Sequence, residues 1–162
     1  MTSFRRLVVA LAAASALFAG AGATAHAAAP TAAGPAQTLH VAPAAPTGNG
    51  GGTTFGGYAP SVTPAVQTSH VDANGYYLCK VGYLCALAWD PTTTSWKVFH
   101  FWYCDYYDLA YWNGGGYYLN QQTNHAQAIF YNSSWSEVTY ANADGVQRWQ
   151  DWNPVYHIRS CG

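Results

Sequence analysis

Charge is what this sequence has least of: only 8% of its 162 residues are Asp, Glu, Lys or Arg. Six Lys+Arg against seven Asp+Glu leave a formal net charge of -1. Binding to nucleic acid needs clustered positive charge that displaces counterions from phosphates, so no nucleic-acid partner is expected. An acidic solvating tail is excluded too. Cysteine is missing before Cys79, so no lipid can be attached to a leader-proximal thiol. Beyond the first 75 residues no stretch of ten or more carries an apolar stripe of helical period. What the chain has instead is hydrophobic material, at 50%, with aromatics at 16%.

That material is unevenly spread. Arg5 and Arg6 are the only charges before Asp72. Met1 to Arg6 form a positive n-region, Leu7 to Ala19 an apolar h-region, and Ala25-His26-Ala27 a cleavage site, which together predict a signal peptide over residues 1–27. The apolar run is Ala-rich and ends at Gly20 and Gly22, so no membrane span is expected in the mature form. Residues 28–75 hold six of the eight prolines and the run Gly50-Gly51-Gly52, with only scattered Leu39, Val41, Phe55, Tyr58, Val62, Val66 and Val71 to bury. Such a stretch cannot offset its own ordering entropy and reads as a disordered linker.

Residues 76–162 read as the folded module, with all seven Trp, twelve of thirteen Tyr and all four Cys. Every strong pattern there has period two. Strands are expected over Tyr83 to Trp89, Trp96 to Tyr103, Tyr117 to Gln121, Ala126 to Tyr131, Trp135 to Tyr140 and Val155 to Ser160. Turn signals separate them at Asp90-Pro91, Asn113 to Gly116, Asn132 to Ser134, Asp144-Gly145 and Asn153-Pro154. Asp144-Gly145 is the best hairpin turn, because Gly accepts positive φ and strands flank it. The fold class is all-β, a small sandwich or barrel.

Four cysteines in an exported module are most simply two disulfides. Cys79 and Cys85 are six apart with Gly82 between them, which leaves Cys104 and Cys161 as the second pair. Two other connectivities are compatible with the sequence.

Cys79-x5-Cys85 with Gly82-Tyr83-Leu84-Cys85-Ala86-Leu87 resembles the opening strand of small exported actinobacterial proteins, the βγ-crystallin-like metalloproteinase inhibitors. Tyr107-Asp108-Leu109, Trp112-Asn113-Gly114, Asn120 to Thr123 and Trp152 to Cys161 resemble a secreted group related to them. The resemblance implies a Greek-key βγ-crystallin-like fold and a peptidase-inhibitor activity. The stretches that could match the family's calcium motif, Asn124 to Ile129 and Asn153 to Ile158, lack its hydroxyl pair, so no cofactor is expected.

No constellation selects an enzyme. Asp105 and Asp108 could serve as paired acids but read as turn carboxylates. His100, His125 and His157 show no ligand pair at short spacing, so no metal site is expected. The aromatics remain. The run Phe99-His100-Phe101-Trp102-Tyr103 cannot bury both faces of a thin module equally well. Tyr106, Tyr107, Tyr111, Trp112, Tyr117 and Tyr118, with Asn113, cluster around the triple glycine and form the candidate binding face. The expectation is therefore a secreted, non-enzymatic module with an extracellular partner. A secreted protease is one partner, held by a rigid loop; a polysaccharide or cell-wall polymer is another, stacked on the Trp112/Tyr117 region. An antimicrobial or toxin-like role is a third reading, which the near-neutral charge does not favour.

Overall fold

The computed structural model describes residues 37–47 and 57–161, all within the unit Pro35–Gly162. The expected signal peptide lies outside the described residues. Every regular element among the described residues is a strand. In chain order they are β1 (Leu39–Val41), β2 (Ser61–Thr63), β3 (Gln67–Val71), β4 (Tyr76–Leu78), β5 (Leu84–Asp90) and β6 (Ser95–Phe101). There follow β7 (Tyr106–Ala110), β8 (Gly115–Asn120), β9 (Ala128–Tyr131), β10 (Glu137–Ala141), β11 (Gln147–Asp151) and β12 (His157–Arg159).

Two five-stranded antiparallel sheets form a sandwich, one ordered β11-β8-β5-β6-β3 and the other β10-β9-β12-β7-β2. Both sheets stay open at their edges, so the molecule is a sandwich and not a closed barrel. Between them lies a core of Leu84, Ala86, Phe99, Phe101 and Tyr118 from the first sheet against Tyr107, Phe130 and Ile158 from the second. The first sheet is covered on its other face as well. There Cys85, Leu87, Trp96, Val98 and Leu119 pack with Ala42, Tyr77 and Cys79 of the β1–β4 ribbon. Burial on both faces is why β5 reads as a continuous apolar run and not as an alternation.

Three of these strands come from the stretch expected to be linker, and they correct its boundary: β1, β2 and β3 all precede Tyr76. Composition alone would not order them. Each is instead paired to a longer neighbour, β1 to β4, β2 to β7 and β3 to β6, which satisfies its backbone groups. Val62 and Val71 supply the apolar contact. The hairpin expected at Asp144-Gly145 is also corrected. β10 pairs with β9 and β11 with β8, so this segment is a crossing from one sheet to the other. Gly145 does take positive φ, at 68°, but the strands it joins never meet.

The last eight strands form two units of four, β5–β8 and β9–β12. In each unit the third strand, β7 or β11, leaves its own sheet and joins the other unit's sheet. Each crossing strand is followed by a Trp-Asn pair, Trp112-Asn113 and Trp152-Asn153. The two indoles meet edge to face in the core, with centroids 5.0 Å apart. Both disulfides, Cys79–Cys85 and Cys104–Cys161, are formed.

Candidate functional site

The seven residues expected to make a binding face are not brought together. Tyr107, Trp112 and Tyr118 lie in the core. Tyr111 is exposed and stacks on Tyr58, while Tyr106 is exposed beside Tyr131 and Trp135 on the outer face of the second sheet. Tyr117 packs edge-on against Trp96 beneath the ribbon, and half-buried Asn113 reaches only the Tyr111 carbonyl. The physical reason is that the glycine run opens a strand. A Cβ at Gly116 would lie 2.2 Å from the Leu87 carbonyl and 2.2 Å from the Trp152 indole nitrogen. Those glycines let indole rings press against backbone; they do not free a loop.

One cleft of about 310 Å³ does open beside the glycine run, between Tyr117, exposed Trp149 and the 44–47 segment; a longer run of clefts flanked by exposed aromatics lies elsewhere. Strand β6 ends at Phe101, which points into the inter-sheet core with Phe99, so the alternation puts His100 and Trp102 on the opposite face, where Trp96 and Val98 are buried and Trp102, past the strand's end, is not. Trp102 is half exposed, and Tyr103, 74% exposed, is the most exposed aromatic among the described residues. They divide a groove of three adjoining clefts. The first, about 360 Å³, is walled by Tyr76, Lys80, Ser69 and His70. It shares Gln67, Tyr83 and His100 with the second, about 350 Å³, which Asp105 and Pro64 help to line. That cleft in turn shares Trp102 and Tyr103 with the third, about 380 Å³, lined by Gln122, Thr123, Asn124 and Ala126.

The ridge is rigidly held. Gly82 has φ +92°, and the Trp102 ring lies where its Cβ would be, 2.5 Å away. The other side of the indole contacts Tyr83, centroids 4.8 Å apart. The Gly82 N–H donates to the Gln121 carbonyl at 2.7 Å and the Gln121 N–H to the Tyr83 carbonyl at 2.8 Å, which ties the turn under Trp102 to the 121–126 segment. On the far side of Tyr103 the Cys104–Cys161 bridge fixes the chain. The Tyr103 carbonyl accepts from the hydroxyls of Ser160 and Tyr107. The Asp105 carboxylate accepts the Tyr106 N–H at 2.8 Å, and the Asp105 carbonyl accepts the Ser160 N–H at 3.1 Å.

Electrostatically the groove is mild. Burial, helped by the nearby Lys80 charge, pushes the His100 pKa down, so its imidazole is neutral at neutral pH and shares a 3.0 Å hydrogen bond with the Ser69 hydroxyl. Asp105 lies in the groove, whereas Asp108 sits on the outer face of the second sheet, 2.6 Å from His157. His125 is exposed in the 121–127 segment. The two acids and the three histidines therefore serve separate parts of the surface, and among the described residues no group of three His, Cys, Asp or Glu is placed to hold a metal ion.

Comparison with protein-family models, curated proteins and solved structures finds no match. Function has to be read from the groove. Flat aromatic faces held still beside amide and hydroxyl side chains can stack on apolar ring faces while hydrogen-bonding their edges. Sequence reasoning placed Trp102 and Tyr103 at the end of a strand. Strand phase alone does not find them, because Trp96 and Val98 share the phase of Trp102 and are buried under the ribbon.

Proposed function

We propose that this protein is an exported, non-catalytic module that binds a linear extracellular polysaccharide along the Tyr76–Trp102–Tyr103 groove. The observation that carries this reading is the Trp102–Tyr103 ridge: two exposed aromatic side chains between adjoining clefts, the Trp102 ring packed on Gly82 and Tyr83 and the Tyr103 backbone fixed beside the Cys104–Cys161 bridge. An exposed ring already packed on its neighbours, as Trp102 is, binds at low entropic cost. An elongated groove with almost no net charge suits a neutral chain of sugar rings. Export is supported by the leader-like N-terminus and by two disulfides, which persist outside the cytosol. No helix among the described residues is long and apolar enough to cross a membrane. A βγ-crystallin-like double Greek key is supported by the crossing of the third strand in each four-strand unit.

The test is depletion of the purified protein by insoluble chitin, cellulose and peptidoglycan. Retention on at least one of them is expected, weakened about tenfold or more by Trp102→Ala, which corresponds to ~1.4 kcal/mol. No retention on any polymer would overturn the reading.

The same ridge favours one second reading, a peptidase inhibitor, since residues 102–105 form an exposed segment pinned by a disulfide. Its Tyr103 carbonyl is turned inward onto two hydroxyls, so it is not presented to a protease oxyanion hole. Inhibition would then have to come from blocking the cleft. Titration against thermolysin-like and subtilisin-like proteases decides it, and no inhibition at micromolar concentration ends this version.

A further inference from the structure

We infer that the outer face of the second sheet is a docking surface for a second copy of this chain; the inference is independent of the polysaccharide reading. Val62, Tyr107, Phe130 and Ile158 point into the core, so their neighbours along each strand point outward. The register sets those neighbours in two rows across the strands. Glu137, Tyr131, His157 and Asp108 make one row, and Tyr140, Ile129, Arg159 and Tyr106 the other. The first sheet carries the β1–β4 ribbon on its outer side, whereas among the described residues no strand covers these rows.

Trp135 is laid onto this face against local preference. Its φ is +61°, a left-handed conformation that strains a bulky residue. Asn132 holds the turn: its carbonyl accepts the Trp135 N–H at 3.0 Å, and its side-chain oxygen accepts the Ser134 and Ser136 N–H groups, each at 2.9 Å. The indole stacks flat on the His157 ring, with centroids 3.8 Å apart and planes 9° from parallel. It still leaves half its surface exposed, as Tyr106 and Tyr140 do. Three half-exposed rings are roughly 300 Å² of aromatic surface on each copy. With the other side chains of the two rows, pairing buries on the order of 1,000 Å² in total, the size of a weak, reversible dimer.

Charge selects the occupant. Arg159, which sits over the Tyr106 ring at 5.5 Å, and Glu137 have no ion pair among the described residues, while Asp108 is engaged by His157. They stand two strands and one row apart, about 12 Å on ordinary sheet spacings. A two-fold axis lying in the face midway between them sets each Arg159 against the partner's Glu137. That is the self-complementarity an isologous dimer needs. A partner of one charge sign would leave either Arg159 or Glu137 facing its like.

Sedimentation velocity of the mature protein over a concentration series tests this. A monomer–dimer equilibrium with a dissociation constant on the order of 10 μM is expected. Trp135→Gly removes the ring and accepts the positive φ, and is expected to weaken the dimer about tenfold or more while circular dichroism shows the fold intact. Arg159→Glu and Glu137→Arg are each expected to be monomeric alone and to pair when mixed, because the exchanged charges then meet. A wild type that stays monomeric at millimolar concentration would overturn the inference. So would a dimer that none of these substitutions weakens, or single variants that fail to pair on mixing.

Discussion

Gly82 is the residue on which the shape of the groove turns. It holds φ +92° and leaves no room for a Cβ under the Trp102 ring. Gly82→Ala is expected to cost about 1–2 kcal/mol in backbone strain alone, and to weaken polysaccharide binding as much as Trp102→Ala by displacing the indole. Trp102→Ala itself is expected to cost about 1–2 kcal/mol, less than a core tryptophan, because half of the ring is exposed and the rest packs on Gly82 and Tyr83. Thermal melts beside binding isotherms separate the two effects. Trp112→Ala is a different experiment: that ring is in the core against Phe99 and Trp152, so its removal is expected to cost about 3–5 kcal/mol and says nothing about a ligand. Asp90 contributes to the acid response. Burial pushes its carboxyl up, but hydrogen bonds from Thr92 and His70 and the His70 charge outweigh this, and the net pKa is below the ordinary value. The unfolded chain then binds more protons in that window. The stabilisation is complete above the usual carboxylate pKa of about 4 and is lost as pH falls through the lower folded value. Asp90→Asn keeps the turn acceptor and is expected to destabilise at neutral pH, with the gap to wild type closing in acid, as urea melts across pH would show. Residue identities of this kind were partly legible. The phase of β6 separates Trp102 from Phe99 and Phe101 but not from buried Trp96 and Val98, and nothing in sequence says that Tyr107, Trp112 and Tyr118 point inward while Tyr106 and Tyr111 do not.

At the scale of elements, the six strands expected from period two are present, each within a few residues of its expected bounds. The six missed are short or polar: β4 has three residues, β7 contains Asp108, β11 reads Gln147 to Asp151, and β1, β2 and β3 sit among prolines and threonines. Their order comes from pairing with a neighbour, a long-range fact that local composition does not carry. This has a measurable consequence. A chain beginning at Tyr76 would uncover Leu87, Trp96, Val98 and Leu119 where Ala42 and Val71 now pack, and would leave β6 as an unprotected edge. It is expected to aggregate or to lose near-ultraviolet circular dichroism, whereas a chain that keeps residues 37–75 stays soluble. An independently folded, monomeric 76–162 fragment would contradict the corrected boundary. The Cys104–Cys161 bridge, with a sequence separation of 57, is the other long-range element. Replacing both cysteines by serine is expected to cost about 4 kcal/mol on the loop-entropy estimate, read from chemical denaturation. Binding should weaken as well, because the bridge holds the ridge.

Across the whole molecule, a repeat runs through the chain that strand-by-strand reading does not register. The Trp-Asn pairs at 112–113 and 152–153 follow the crossing strands of the two units, and Asp90 and Asn132 cap equivalent first turns by accepting the Thr92 and Ser134 N–H groups, each at 2.9 Å. Two recurring pairs in so aromatic a sequence are a faint signal, and only the strand crossings give them meaning. The groove is fainter still, since it joins the 64–67, 76–83, 100–105 and 121–126 segments from distant parts of the chain. Its central claim is that ligand meets protein at Trp102. Seven tryptophans, some buried in the core and others on the surface, make the indole N–H resonances a direct map. Titrating the ¹⁵N-labelled protein with a soluble oligosaccharide of the polymer that retains it should shift the Trp102 indole signal and leave Trp112, Trp152, Trp135 and Trp149 where they are. Shifts confined to Trp135 or Trp149, or no shift at saturating oligosaccharide, would contradict the account.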